Sequence, residues 1–284
     1  MAGFRSVSDY ANAWEAGRVS TCSIRKVPSQ ASTAGHWVDL SMAAGNPKPN
    51  YYASSPLIAA TLTGLDGIYH GSSRAPASTH IADLCLMTPT AGLVGQYKLL
   101  DYLLYYPFVD LDDGDAQVFD NTTTLPRYED GDGVMAMLVA AAPTVGGGSF
   151  TFDYVNHAGE AKTSPVQVCG TASSPIASIV TSQPGTAGGQ GPFLTLASGD
   201  TGIRAVTGWT NLALNGGLGS LVLVKPIADH AIREIDTASE ITWIQQRAGA
   251  PVIEDGAYLN LIMNCAATVA AGTLAGRASF VWSE

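Results

Sequence analysis

The clearest periodicity along this chain is two. Ser149-Phe150-Thr151-Phe152-Asp153-Tyr154-Val155 alternates aromatic and small polar residues, and residues 165–169 alternate again. That pattern belongs to strands with one buried face. The apolar run 133–142 ends at Pro143, ahead of Gly146, Gly147 and Gly148. These three segments are expected to pair as an antiparallel meander, with Asn156-His157-Ala158-Gly159 as its second turn. Residues 96–109 carry Tyr97, Tyr102, Tyr105 and Tyr106, which suit a strand, while Pro107 places it at a sheet edge or a strand end. Residues 203–209 and 219–226 flank the turn Asn215-Gly216-Gly217, and 257–263 and 278–282 give two more strands. Periodicity leaves 80–87 open between helix and strand. Two helices are expected. One covers 8–17; the other covers 237–246, with Thr237 as N-cap, Glu240 completing a capping box, and Ile241 and Ile244 on the apolar face. The spacing of turns is that of a mainly β protein, a jelly-roll-like β-sandwich with a few short helices.

The first part of the chain breaks this rhythm. Pro28, Pro47, Pro49 and Pro56 hold the backbone extended and remove ladder donors. Between them stand Trp37, Tyr51 and Tyr52, which are costly to leave in water. Residues 1–56 are therefore expected to form an extended arm with one short helix, lying along its own body or a neighbour. The body is 57–284, with a sub-boundary near 182–191 if it divides. That glycine-rich stretch is a surface loop or a strip that orders on a partner. Trp14, Trp37, Pro47, Pro49, Tyr51 and Tyr52 are the candidate partner-binding residues.

Composition shifts the weight towards assembly. Hydrophobic residues make up 46% of the 284 and charged residues only 13%, about half the usual charged share. A surface so poor in charge suits a subunit covered by its partners. The net charge of -10, with no basic run, argues against nucleic acid as a partner. No stretch approaches the roughly 20 apolar residues of a membrane span. The start lacks the apolar core of a signal peptide, so Cys22, Cys85, Cys169 and Cys265 are expected to be thiols.

Candidate chemistry is sparse. Asp110, Asp112, Asp113 and Asp115 could hold a hard cation, but Asp115 stands where a twelve-residue calcium loop needs glycine. A solvated loop is the simpler expectation, and a contact for partner arginines the third. His36, His70, His80, His157 and His230 could each act as a base, yet no motif with defined catalytic mechanics accompanies them. His157 suits a turn. Trp209, Trp243 and Trp282 could stack on sugars, but core packing explains them better. No enzyme activity, cofactor or metal is expected.

Several stretches resemble virion structural proteins of tailed bacteriophages encoded near the head genes. They are Phe4-Arg5-Ser6-Val7-Ser8-Asp9-Tyr10-Ala11-Asn12-Ala13-Trp14, Gly45-Asn46-Pro47-Lys48-Pro49-Asn50-Tyr51-Tyr52-Ala53, residues 101–110 and residues 253–260. The resemblance runs through most of the chain, weakest in 145–191, and implies a virion context without residue roles. With the low-charge β body, it leads to an expected capsid decoration or cement protein. Such a protein would be made in the bacterial cytoplasm and sit on the capsid exterior. It would bind the major capsid protein, as a homodimer or trimer, and neither nucleic acid nor membrane. The alternatives are a connector or tail component and a carbohydrate-binding host-recognition protein.

Overall fold

The computed structural model describes residues 4, 6–29, 32–183, 191–243, 249–269 and 271–283. Within them the protein is mainly β, and all ladders between its strands are antiparallel. A central sheet runs in the order Trp37–Asp39, Tyr258–Cys265, Gly95–Asp110, Leu218–Ile232, Met135–Ala140, with Ala60–Thr61 also on Gly95–Asp110. An outer sheet runs Ser239–Thr242, Thr79–Met87, Leu274–Trp282, Val19–Val27, Ala44–Asn46, with Val252–Ile253 also on Thr79–Met87. A smaller sheet runs Ala161–Thr163, Ser149–Asn156, Ile203–Ala213, Gln117–Val118, with Gln167–Val168 also on Ser149–Asn156.

The central sheet is buried on both faces. Leu104, Tyr106, Ala136, Leu138, Leu221 and Leu223 pack with Phe150, Phe152, Tyr154 and Trp209 of the smaller sheet. The residues between them, Tyr105, Met137, Val139, Val222 and Val224, share a second core with Tyr52, Ile179, Leu84 and Phe280. Each fully buried large apolar side chain is worth about 1.5–3 kcal/mol. This placement explains the sequence pattern. Strands buried on both faces read as continuous apolar runs, as 133–142 does. Ser149–Asn156 keeps one face outward and therefore alternates.

Four expectations change. Met135–Ala140 and Ser149–Asn156 are strands but do not pair; the first joins Leu218–Ile232 and the second Ile203–Ala213. Only Gln167–Val168 of the expected meander lies against Ser149–Asn156. Gly95–Asp110 is a central strand rather than an edge; Pro107 lies near its end, at the register shift between the Tyr106–Leu221 and Val109–Gly219 pairs, where the regular ladder is interrupted. No helix covers the described part of 237–246. Instead Glu240 and Ile241 pair with Cys85 and Leu84, so strand partners override the capping signal; residues 244–248 lie outside the described residues.

The largest correction concerns the N-terminal arm. Val19–Val27 sits between Leu274–Trp282 and Ala44–Asn46 in the outer sheet. Trp37–Asp39 pairs with Tyr258–Cys265 in the central one. Val19–Val27, Trp37–Asp39 and Ala44–Asn46 thus complete both sheets, and the burial need of Trp37 and Tyr52 is met internally. The helix Val7–Glu15 lies outside them, capped by Ser6 and docked through buried Ala13 against Ala82 and Val281.

Candidate functional site

Two adjacent tyrosines define the first region of interest. Tyr51 is 59% exposed and Tyr52 fully buried. The division is set by the backbone: Asn50 Oδ1 accepts from the Tyr52 N–H at 2.9 Å, and Tyr52 has a φ of 51°. A bulky residue in the left-handed region is uncommon and must be held there by its surroundings. The holding group is Asp39. Its carboxyl accepts from the Tyr52 hydroxyl, from Tyr102 at 2.7 Å, and from the Ser41 amide and hydroxyl at 2.8 Å each. Burial raises the Asp39 pKa above the carboxylate range, with these hydrogen bonds opposing the rise.

The surrounding polar groups extend this anchor. Lys26, fully buried, donates to Pro47 O at 2.7 Å and Ala43 O at 3.2 Å, and burial lowers its pKa to about 8. On the far side, Arg127 grips Asp101 through two bonds of 2.8 and 2.7 Å, and Asp101 also accepts from the Tyr258 amide. The Tyr258 ring meets Tyr102 edge to face. Asp39, Tyr102, Tyr258 and Asp101 therefore form one buried polar seam beneath the 50–52 turn.

Of the residues singled out in the sequence, this seam takes Tyr52 and Pro47 into the interior, and Trp37 is buried as well. These three cannot form a partner surface; the chain's own body supplies the burial that suggested one. Tyr51 is exposed and Pro49 half-buried. Trp14 is 46% exposed on the first helix, beside Tyr10, and does not join the Tyr51 turn.

A second region lies where the chain passes from the smaller sheet to the central one. Leu212 and Leu214, 54% and 51% exposed, precede the turn Asn215-Gly216-Gly217. The Val145 amide donates to Asn215 O at 2.9 Å, which brings Val145, 75% exposed, beside that turn. Gly216 has a φ of 67°, and a Cβ there would stand 2.9 Å from the Val145 methyl. Three large apolar side chains thus face water around a glycine turn. Sequence reading passed over them, although Leu212-Ala213-Leu214 running into Asn215-Gly216 continues the period of two past the paired part of the strand. Asp39 was missed too. Its signal was a single carboxylate inside the apolar run Trp37-Val38-Asp39-Leu40.

The other candidates fill structural roles. Asp110 and Asp113 accept from the amides of Asp112 and Asp115 at 2.9 Å, closing local turns that Asn211 ties down. Among the described residues, no group of three or more His, Cys, Asp or Glu is placed to hold a metal. His36 and His70 each set Nε2 3.0 Å from a backbone carbonyl, and burial lowers both pKa values. Burial lowers that of His230 as well. His157 occupies the turn between Ser149–Asn156 and Ala161–Thr163, as its neighbours suggested. Trp209 stacks on Phe150 at 3.8 Å, Trp243 is buried, and Trp282 lies under Arg74. The four cysteines are free thiols. Ser182 and Gln183 are buried, while 184–190 lie outside the described residues. No helix among the described residues is long and apolar enough to cross a membrane.

No family model matches this chain, and neither the curated proteins nor the solved structures contain a match to it.

Proposed function

We propose that this protein is a structural component of a tailed-phage virion, a decoration or cement protein on the outside of the head. The observation that carries the reading is the apolar end formed by Val145, Leu212 and Leu214 on a chain with only 13% charged residues. Such side chains gain by burial against another surface. The sequence resemblance supplies the virion context. We read the body as sandwich-like, since parts of the central sheet pack face to face with the smaller one.

The mechanism is mechanical and needs no catalytic step. Subunits that bind the expanded shell, and not its dissociated parts, add their binding free energy to shell stability by mass action. A standard interface buries about 1,600 Å2, so the apolar end would be the centre of a larger contact. Many copies on one shell make a modest affinity sufficient. The partner is the major capsid protein, and a dimer or trimer on the lattice fits the same reading.

The test is a stained gel of purified virions, combined with sedimentation of the isolated protein with expanded heads. A decoration protein approaches the capsid subunit in abundance and co-sediments with heads. A band at a few per cent of that abundance, with no co-sedimentation, would instead indicate a connector or tail component.

A further inference from the structure

The exposed ring of Tyr51 stands at the edge of a cavity of about 320 Å3, at the small end of ligand pockets, which run from about 300 to 1,000 Å3. Its walls are Lys48, Asn50, Thr61, Thr63, Asp66, Tyr105 and Tyr258, with Leu62 as the one large aliphatic side chain among the described residues. Three features of this wall point to the same ligand chemistry. First, the hydroxyls of Thr61, Thr63 and Tyr105 make no hydrogen bond to any described residue, and that of Tyr105 is not sealed from solvent. Each can still donate and accept. Second, Lys48 and Asp66 pair at 2.8 Å, so the rim carries both charge signs and no net charge. An anionic ligand would gain little there, and the net charge of -10 would repel it. Third, Tyr51 is presented outward by a turn whose next residue is strained and bolted to Asp39. Strain held at buried Tyr52 fixes the direction of the exposed ring beside it.

We infer that this cavity binds a neutral sugar ring of a glycan, stacked on Tyr51 and hydrogen-bonded by Thr61, Thr63, Tyr105 and the Lys48–Asp66 pair. One face of a pyranose offers C–H groups to an aromatic ring, while its edge offers hydroxyls that both donate and accept. An apolar ligand would leave the wall hydroxyls unpaired, which costs binding free energy. The buried Asp39–Tyr52–Tyr102 seam makes the site stiff, so little ordering cost falls on binding. The site is separate from the apolar end, so a decorated head would present it to a glycan-bearing surface.

Saturation-transfer NMR on the full chain tests this, with the methyl glycosides of glucose, galactose, mannose and N-acetylglucosamine as probes. The expected result is transfer to the C–H face of at least one glycoside. That transfer is lost in Tyr51→Ala, kept in Tyr51→Phe, and kept in Leu65→Ala, an exposed position outside the cavity wall. Melting curves check that Tyr51→Ala remains folded, as its exposure predicts. Absence of transfer from all four probes overturns the inference, and so does equal transfer in Tyr51→Ala. Co-sedimentation with heads is measured in parallel and is expected to be unchanged in Tyr51→Ala, so failure of the sugar site and failure of the virion reading give different results.

Discussion

The seam under Tyr52 and the end bearing Leu212 reverse each other's rules. In the seam, polar groups are inside and engaged: the Asp39 carboxyl has four donors, and Asp101 has Arg127 and the Tyr258 amide. At the apolar end, large aliphatic side chains are outside and face water around the glycine turn. A region with engaged polar groups fixes its own conformation. A region with apolar groups in water gains by being covered. The first is scaffold and the second is contact surface, and mutation should separate them.

The largest effect belongs to the seam. Arg127→Ala leaves Asp101 buried without its counter-ion, and breaking such a pair costs about 3–5 kcal/mol. Urea denaturation should show a loss of that size. A loss below about 1 kcal/mol would mean the seam contributes no more than a surface pair. Next comes the tyrosine contrast. Tyr52→Phe removes one donor from Asp39 and should cost about 1–3 kcal/mol, whereas Tyr51→Phe should stay within about 0.5 kcal/mol of wild type. Equal effects at the two positions would erase the distinction between anchor and presented ring.

Acid should loosen the scaffold. His36, His70 and His230 are held below the ordinary histidine value by burial. The unfolded chain therefore takes up protons near pH 6.5 while the folded chain does not. Their stabilising contribution is complete above about pH 6.5 and declines as pH falls below it. The raised carboxyls of Asp39 and Asp101 act in the opposite sense from about pH 4 upward, where the folded chain holds the extra protons. Melting temperature should fall between about pH 7 and pH 5.5, a window set by the histidines. A flat profile there would mean these rings protonate freely in the fold.

The smallest effect on stability is expected at the other end. Leu212→Ser with Leu214→Ser exchanges two exposed side chains and should shift unfolding by no more than about 0.5 kcal/mol per site. The same pair should abolish co-sedimentation with heads. A well-folded double variant that still binds would remove this surface from the proposal.

How far the chain could be read in advance follows the same division. Strands such as Ser149–Asn156 were legible because their alternation is local. Partner choice was not: nothing near Met135–Ala140 indicates that it pairs with Leu218–Ile232, some eighty residues on, rather than with the next strand. The prolines at 28, 47, 49 and 56 pointed to extended backbone, but not to Val19–Val27 and Trp37–Asp39 closing two sheets around it. Tyr51 and Tyr52 are indistinguishable in composition. Only the left-handed turn at Tyr52, fixed by Asn50 and Asp39, sends one outward and the other inward.

The most direct test of the two-region account is hydrogen exchange of the protein alone and bound to expanded heads. The account predicts new protection at residues 143–148 and 211–217 on binding. It predicts little change at 37–52, already slow to exchange because the seam holds it. New protection at 37–52 with none around Val145 and Leu214 would contradict it and restore the N-terminal segment as the contact surface.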